Sequence, residues 1–186
     1  MPCDPTQVYQ PEADTFLLLE AAQQEEVRPG DRVLEIGTGS GRIAAALVRD
    51  HEVVATDINP HAVFCARKEG LDVIRCDLFS GIRGRFNLIL FNPPYLPTRP
   101  EERIDDWLEF ALDGGATGRA TIDRFASSVG DVLSPGGRLL LLISTLTGLP
   151  EVQELFSRYG FAVSVVRQQA LEGEDLFVLR ITRQGN

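Results

Sequence analysis

The chain has 186 residues and a net charge of −9, and its length predicts one domain spanning residues 1–186. It has one lysine, Lys68, and scattered arginines, which argues against the clustered positive charge of a nucleic-acid groove. No apolar run approaches the roughly 20 residues of a membrane span, and no basic, apolar leader is present, so we expect a cytoplasmic protein without a membrane segment.

An N-terminal helix is the first predicted element. Pro11, Glu12 and Asp14 are typical of a helix start, because proline suits the first turn and acids favour the positive end of the helix dipole. Further along, short apolar runs alternate with helical stretches. We predict strands at 33–36, 53–56, 73–75, 86–91, 138–144, 162–168 and 176–181, and helices at 42–49, 60–69, 122–133 and 150–159.

This alternation of strands and helices is typical of an α/β fold. Strands separated by helices of about ten residues favour right-handed crossovers and parallel pairing. The last two strands are joined only by a short polar turn around Glu172-Gly173-Glu174, which permits a hairpin. We therefore predict a mostly parallel seven-stranded sheet with helices on both faces and one antiparallel strand near the edge. Residues 96–119 lack clear periodicity and are expected to be a functional cover or disordered.

The three cysteines, Cys3, Cys65 and Cys76, have no metal-like spacing. We expect two of them to be small core residues and one to be a terminal thiol, as in a reducing compartment. His51 and His61 also lack neighbours that would complete a ligand set. The sequence therefore predicts no metal site.

A glycine-rich turn, Gly37-Thr38-Gly39-Ser40-Gly41, follows the first predicted strand. Glycine is needed where the backbone takes a positive φ or passes close to a ligand. In an open parallel sheet this turn lies at the carboxyl ends of the strands, where ligands bind. Asp57 ends the second strand, where its carboxylate can accept hydrogen bonds from both hydroxyls of a ribose.

Three interpretations of this turn stay open. A dinucleotide site normally has a third glycine at position 42, where this chain has Arg42. S-adenosylmethionine has no phosphate, so the shorter glycine pattern suffices and this cofactor is favoured. A nicotinamide or flavin dinucleotide and a purely structural turn are the alternatives. After the third strand, Asp77 is expected to bond an adenine amino group with Leu78 beside the ring, or else to cap a turn.

The tetrapeptide Asn92-Pro93-Pro94-Tyr95 follows the strand at 86–91 directly. Two prolines end the strand and fix the backbone that follows. Asn92 offers a side-chain oxygen and Pro93 a backbone carbonyl, and two fixed acceptors can hold both hydrogens of an NH2 group. Tyr95 can lie over a planar substrate group. The alternative is a proline-stiffened turn without a chemical role.

The chemistry that fits this tetrapeptide is transfer of a methyl group to a planar nitrogen. An amide or exocyclic amine is a poor nucleophile because its lone pair is delocalised. Hydrogen bonds that favour the attacking form of the nitrogen stabilise the transition state, and alignment of the reacting atoms supplies much of the remaining catalysis. The sequence therefore predicts a catalytic role for Asn92, Pro93 and Tyr95.

With these motifs identified, the chain resembles HemK-type class I methyltransferases, which have a Rossmann-like fold. It is most similar to the eukaryal and archaeal branch that methylates release factors. Three stretches carry the resemblance: the start at residues 8–18, the tetrapeptide at 92–95, and residues 107–125 with Asp113-Gly114-Gly115, Gly118-Arg119 and Asp123-Arg124-Phe125. Residues 97–105 depart from the pattern, so substrate contacts in that loop are not carried over.

The resemblance implies an S-adenosylmethionine site with residues 1–30 as an N-terminal helical segment that contributes to it. It implies cofactor contacts from Thr15, Glu35, Gly37, Thr38, Gly39, Gly41, Asp57, Ile58, Asp77, Leu78 and Asn92. It implies that the acceptor is the glutamine of a Gly-Gly-Gln motif in a class 1 translation release factor, bound by Asn92-Pro93-Pro94-Tyr95. It also implies a heterodimer with a small zinc-binding activator.

Other acceptors remain open at this point. Adenine N6 methylation of DNA or RNA uses the same tetrapeptide, although it normally needs a module that reads the target, and no segment of the chain is left for one. The branch also includes lysine methylation. A catalytically silent protein with this fold is a further alternative, against which the intact Asn92 argues.

Overall fold

The computed structural model of the chain describes residues 3–99, 101 and 106–185. Within these residues the strands are β1 (Arg32–Ile36), β2 (Glu52–Asp57), β3 (Val73–Arg75), β4 (Phe86–Phe91), β5 (Leu133–Ser144), β6 (Phe161–Ala170) and β7 (Asp175–Arg183). The helices are α1 (Ala13–Gln23), α2 (Arg42–Leu47), α3 (Pro60–Lys68), α4 (Trp107–Phe110), α5 (Ala120–Val132) and α6 (Leu149–Arg158), preceded by a short 3₁₀ helix, Pro5–Gln7.

The strands form one sheet in the order β3-β2-β1-β4-β5-β7-β6. The pairs from β3 to β5 are parallel, whereas β7 is antiparallel to both β5 and β6. The predicted fold class is therefore confirmed, with the antiparallel strand one position from the edge. Strand β5 starts earlier than expected because Leu133 pairs with Phe86 before residues 134–137 bulge out and pairing resumes at Arg138.

Local sequence signals mark some of the helix starts. Asn59 caps α3 by accepting a 2.9 Å hydrogen bond from the His61 N–H. Helix α1 begins at Ala13, so Pro11 lies before the helix and not in its first turn, because Glu12 has an extended backbone. None of the described helices is long and apolar enough to cross a bilayer.

The core lies on both faces of the sheet. Helices α1, α2 and α3 pack on one face, where Leu18 and Ala44 are fully buried. Helices α5 and α6 pack on the other, where Phe125 and Phe156 are fully buried. Full burial of a leucine or phenylalanine side chain in these layers contributes roughly 1.5–3 kcal/mol of hydrophobic stabilisation. These two layers hold the sheet rigid, so its carboxyl edge is a fixed platform.

A buried ion cluster attaches the far end of α1 to the sheet. The Glu25 side chain is 4% exposed and binds the guanidinium groups of Arg138 on β5 and Arg180 on β7. The Arg180 Nε lies 2.8 Å from a Glu25 carboxylate oxygen. Removing Arg138 should be destabilising, because the buried Glu25 carboxylate would keep only the partly exposed Arg180 as its partner.

The segment after the tetrapeptide is pinned by backbone hydrogen bonds and is not a loose cover in its described part. The Leu96 N–H donates to Leu112 O over 3.1 Å, and the Gly114 N–H donates to Leu96 O over 2.9 Å. The Thr98 N–H donates to Gly115 O over 3.0 Å. The unassigned loop at 97–105 falls largely on residues 100 and 102–105, which lie outside the described residues.

The expectation of three reduced cysteines was wrong. Cys3 and Cys65 form a disulfide with a Cα–Cα distance of 5.1 Å, while Cys76 is free and half-buried. The N-terminal segment folds back onto α3 and brings together two thiols separated by 62 positions. Spacing along the chain carries no signal for such a long-range contact.

Candidate active site

Three strands deliver their final residues to the same edge of the sheet. Ile36, the last residue of β1, pairs with Thr56 on β2 and with Phe91 on β4. The residues that follow, which include Gly37, Asp57 and Asn92, therefore lie side by side around one cleft of about 1110 Å³. This volume slightly exceeds the roughly 300–1,000 Å³ typical of small-molecule sites, so it suits a nucleoside cofactor together with an acceptor side chain.

The structure brings almost all of the predicted site residues into this cleft. Its lining includes Thr15, Glu35, Gly37, Thr38, Gly39, Asp57, Ile58, Asp77, Leu78, Asn92, Pro93, Pro94 and Tyr95. Gly41 is the exception, because it does not line the cleft. A Cβ there would lie 2.8 Å from Leu71 Cδ1 and 3.0 Å from Ala66 Cβ. Gly41 allows close packing against Ala66 of α3 and against Leu71, and its assignment as a cofactor contact stays a prediction.

Asp57 is held at the end of β2 by two backbone donors. The Gly39 N–H donates to one carboxylate oxygen over 2.8 Å, and the Asn59 N–H donates to the other over 2.8 Å. Burial raises the pKa of the Asp57 carboxyl, and these N–H groups oppose that shift. Each carboxylate oxygen keeps a second lone pair, which suits the two hydroxyls of a ribose.

Glu35 organises the glycine turn from within the protein. Its carboxylate accepts a 2.6 Å hydrogen bond from the Thr38 hydroxyl and a 3.0 Å bond from the Ala44 N–H. Burial raises the pKa of the Glu35 carboxyl from 4.5 to about 7, against the effect of these hydrogen bonds. The charged form of Glu35 is therefore destabilised in the folded protein, while its hydrogen bonds order the glycine turn.

Replacing Glu35 by glutamine is expected to stabilise the protein more at about pH 8 than at about pH 5. The pKa of the Glu35 carboxyl is about 7 in the folded protein and 4.5 in the unfolded chain. Its destabilising effect on the fold is therefore absent below about pH 4.5 and complete above about pH 7. Glutamine stays neutral and keeps an acceptor oxygen for Thr38 and Ala44. The gain in unfolding free energy should grow by on the order of 2 kcal/mol across this window. Urea unfolding at both pH values measures it, with the exposed Glu20→Gln as control, and equal gains at both pH values would contradict it.

Asp77 and Leu78 lie where an adenine contact was predicted, but Asp77 also has a partner in the protein. The Arg124 guanidinium donates to an Asp77 carboxylate oxygen, and both side chains are about half exposed. Leu78 has a positive φ of 48°, a strained conformation for a residue with a side chain. The adenine-binding role of Asp77 stays a prediction, and Arg124 becomes a further candidate at this end of the cleft.

The acceptor end of the cleft is built around Asn92. The Asn92 amide donates from Nδ2 to an Asp14 carboxylate oxygen over 3.0 Å. Its Oδ1 is buried and has no hydrogen-bond partner among the described residues. Burial, followed by the charge of Asp14, raises the pKa of both the Tyr9 and Tyr95 phenols, so both stay protonated. Asn92 thus lies in the lining of the cleft, as predicted, and its buried side-chain oxygen is left without a partner by the described residues.

The N-terminal segment was expected to contribute to the cofactor site, but the individual residues with which it walls the cleft were not predicted. Residues 5–12 line it apart from Gln7, which instead anchors the segment. The Asn59 amide donates to the Gln7 carbonyl over 2.7 Å, and the Trp107 N–H donates to the Gln7 side-chain oxygen over 3.2 Å. Asp14 was interpreted only as a helix-dipole acid. The resemblance of residues 8–18 was the one available signal for this wall.

Comparison with known proteins identifies the family. The model of the methyltransferase small domain family matches residues 10–105, just over half of the chain. The chain belongs to this family. The match covers the glycine turn, Asp57, Asp77 and the tetrapeptide, so it includes the whole floor of the cleft.

Individual relatives of this methyltransferase agree with the HemK-type resemblance. It is 38% identical to a putative protein N5-glutamine methyltransferase of Methanocaldococcus jannaschii over 95% of the chain and 92% of that protein. It is 34% identical to Methyltransferase HEMK2 of Homo sapiens over 95% of the chain and 90% of that protein. The predicted family and the S-adenosylmethionine-dependent methyltransferase activity are thus confirmed.

A solved structure extends the agreement to the fold. The methyltransferase matches a chain of the E. cuniculi Mtq2-Trm112 complex, which is responsible for methylation of the eRF1 translation termination factor. The TM-score is 0.80 with 28% identity, covering 96% of this chain and 99% of that chain. The open cleft, the glycine turn and the Asp57 carboxylate all fit S-adenosylmethionine.

Proposed function

We propose that this methyltransferase transfers a methyl group from S-adenosylmethionine to the side-chain amide nitrogen of glutamine in the Gly-Gly-Gln motif of a class 1 translation release factor. The observation that carries this proposal is Asn92 in the lining of the cleft, with a buried Oδ1 acceptor that has no partner among the described residues. Relatives named for glutamine methylation, and the similarity to the complex that methylates eRF1, support the same acceptor.

The proposed site divides the cleft into a cofactor end and an acceptor end. Asp57 accepts the ribose hydroxyls, Gly37 and Gly39 leave room for the methionine part, and Thr15 lies beside it. Asp77 and Leu78 flank the adenine. When bound, the cofactor supplies a methyl group on a positively charged sulfur, which is a good leaving group.

The chain's own residues then position the acceptor nitrogen. Asn92 Oδ1 and the Pro93 carbonyl accept one hydrogen each from the glutamine NH2, while the Tyr95 ring lies against the amide plane. These hydrogen bonds favour the form of the nitrogen whose lone pair points at the methyl group. The new N–C bond forms as the S–C bond breaks, its electron pair stays on sulfur, and one N–H proton leaves to water.

A partner and a location belong to the same proposal. Phe64 on α3 and Ile74 on the outermost strand β3 are 39% and 44% exposed. We assign this apolar edge to a small zinc-binding activator subunit, as the similarity to the Mtq2-Trm112 complex suggests. We propose a cytoplasmic location, since the proposed substrate is a translation factor. Residues 1–186 then act as one catalytic domain, with residues 1–30 completing the cofactor site.

The test is methyl transfer by the purified enzyme, alone and with its co-expressed activator. We expect one added methyl mass on the glutamine of a release factor or a Gly-Gly-Gln peptide, located by fragmentation mass spectrometry. A peptide in which alanine replaces that glutamine is the matched control. Lysine peptides and adenine-containing oligonucleotides are assayed in parallel. Cofactor binding without transfer to the glutamine substrate, or preferred transfer to lysine or adenine, would overturn the proposal.

A further inference from the structure

Asp14 is a buried carboxylate surrounded by donors in the wall of the cleft. It lies in the first turn of α1 and is 4% exposed. Its Oδ1 accepts from the Thr15 N–H over 2.6 Å and from the Thr15 hydroxyl over 3.2 Å. Its Oδ2 accepts from the Tyr9 hydroxyl over 3.0 Å and from the Asn92 Nδ2 over 3.0 Å. Both of its oxygens are thus engaged by the protein itself.

The bond to Asn92 decides which end of that amide faces the cleft. A side-chain amide has one acceptor end and one donor end of nearly equal size, so shape alone does not fix its orientation. A carboxylate only accepts hydrogen bonds, so it selects the orientation in which the Asn92 NH2 points at Asp14. The Asn92 oxygen must then point away, and its Oδ1 is indeed buried without a described partner.

We infer that Asp14, held by Tyr9 and Thr15, is a positioning residue that orients the Asn92 amide so that its oxygen, and not its NH2, meets the acceptor nitrogen. This inference deepens the proposed function and rests on the role of Asn92 in it. Asp14 does not need to contact the substrate or remove a proton, because it acts entirely through Asn92.

The Asp14→Asn substitution tests this directly because it changes one oxygen into a donor with little change of shape. The two donors of Thr15 require an oxygen on their side, so the new NH2 group faces Tyr9 and Asn92. The Asn92 amide is then expected to rotate by about 180° and present its own NH2 to the cleft. In that orientation the Asn92 NH2 faces the NH2 of the acceptor glutamine, so two donors meet and no hydrogen bond forms. We therefore expect kcat to fall by at least about tenfold. Affinity for the cofactor should stay within about threefold.

Exchanging the carboxylate at position 14 with the amide at position 92 should restore the hydrogen bond between them with donor and acceptor reversed. In Asn92→Asp alone, two carboxylates face each other and activity should be low. In the double variant Asp14→Asn/Asn92→Asp, the amide at position 14 donates to the carboxylate at position 92, whose other oxygen again accepts from the substrate. We expect the double variant to be at least about threefold more active than Asn92→Asp. A merely structural role for Asp14 predicts no such recovery.

A second readout does not depend on activity. Hydrogen exchange of the Asn92 side-chain NH2, followed by NMR and assigned from its loss in Asn92→Asp, should be slow in the native protein. It should be at least about tenfold faster in Asp14→Asn, because the Asn92 NH2 then loses its hydrogen bond to the Asp14 carboxylate. Glu20→Gln, which neutralises an exposed acid on the same helix, is the control and should change neither readout.

These measurements separate the two hypotheses. If the native enzyme methylates no Gly-Gly-Gln acceptor, the proposed function fails, while the exchange rates still decide the role of Asp14. Unchanged exchange in Asp14→Asn would overturn the inference. So would a double variant no more active than Asn92→Asp on an acceptor that the native enzyme methylates.

Discussion

Replacing Asn92 by alanine is expected to lower kcat by roughly 100- to 1,000-fold, the loss typical of removing one fixed hydrogen-bonding group from a transition state. The substitution deletes the buried Oδ1 acceptor and the donor that Asp14 binds. The cofactor end of the cleft keeps Asp57 and the glycine turn, so the cofactor dissociation constant should change by only a few fold. Single-turnover transfer and calorimetric cofactor binding measure the two quantities separately.

A matched control lies on the same strand. Asn87, near the start of β4, accepts a 3.1 Å hydrogen bond from the Arg32 N–H at the opposite edge of the sheet. Asn87→Ala should reduce stability and leave kcat unchanged, because it removes a structural bond far from the cleft. If Asn92→Ala kept kcat within tenfold of the native value, the assignment of this amide to catalysis would have to be abandoned.

Substitution of Gly118 by alanine should reduce activity about 100-fold, although Gly118 is not proposed to contact the cofactor or the acceptor. Gly118 has a φ of +71°, and a Cβ there would lie 2.4 Å from the Tyr95 carbonyl oxygen. Relief of that overlap must move the tetrapeptide or the loop that is bonded to it. A displacement of about 1 Å at a reacting centre can cost on the order of 100-fold in rate. Steady-state kinetics and urea unfolding report the two consequences.

Gly81 is a control that separates the steric overlap at Gly118 from the strain of a positive φ. It has a similar φ of +82°, but a Cβ at Gly81 would have nothing within 4 Å. Gly81→Ala should therefore show only the roughly 1–2 kcal/mol cost of a left-handed residue, with normal kcat. Equal kcat values for the two variants would mean that the Gly118 contact does not position the tetrapeptide.

Local patterns were sufficient to predict the floor of the cleft. The strand at Phe86–Phe91 and the prolines that end it are adjacent in sequence, so the position of Asn92 follows from the strand alone. Asp57 follows in the same way from the end of β2. Parallel strands place their carboxyl ends along one edge, and that rule alone brings these residues together.

The walls and the orienting contacts could not be predicted because they join distant parts of the chain. Asp14 and Asn92 are 78 positions apart, and the Cys3–Cys65 bond spans 62. Neither pair has a local signature in the sequence. The packing role of Gly41 also could not be predicted, because a glycine pattern does not reveal what lies against the turn. Its neighbours Ala66 and Leu71 come from another part of the fold.

Helix α1 connects the cleft to an ion-paired part of the sheet. Asp14 and Thr15 are at the end in the cleft, and Glu25 lies just beyond the other end, ion-paired to β5 and β7. The 11-residue helix is about 16 Å long, and a helix of this length moves nearly as a rigid rod. By the role inferred for Asp14, the ion pairs of Glu25 at the other end of the helix would contribute to the position of Asn92, although none of these charged residues lines the cleft.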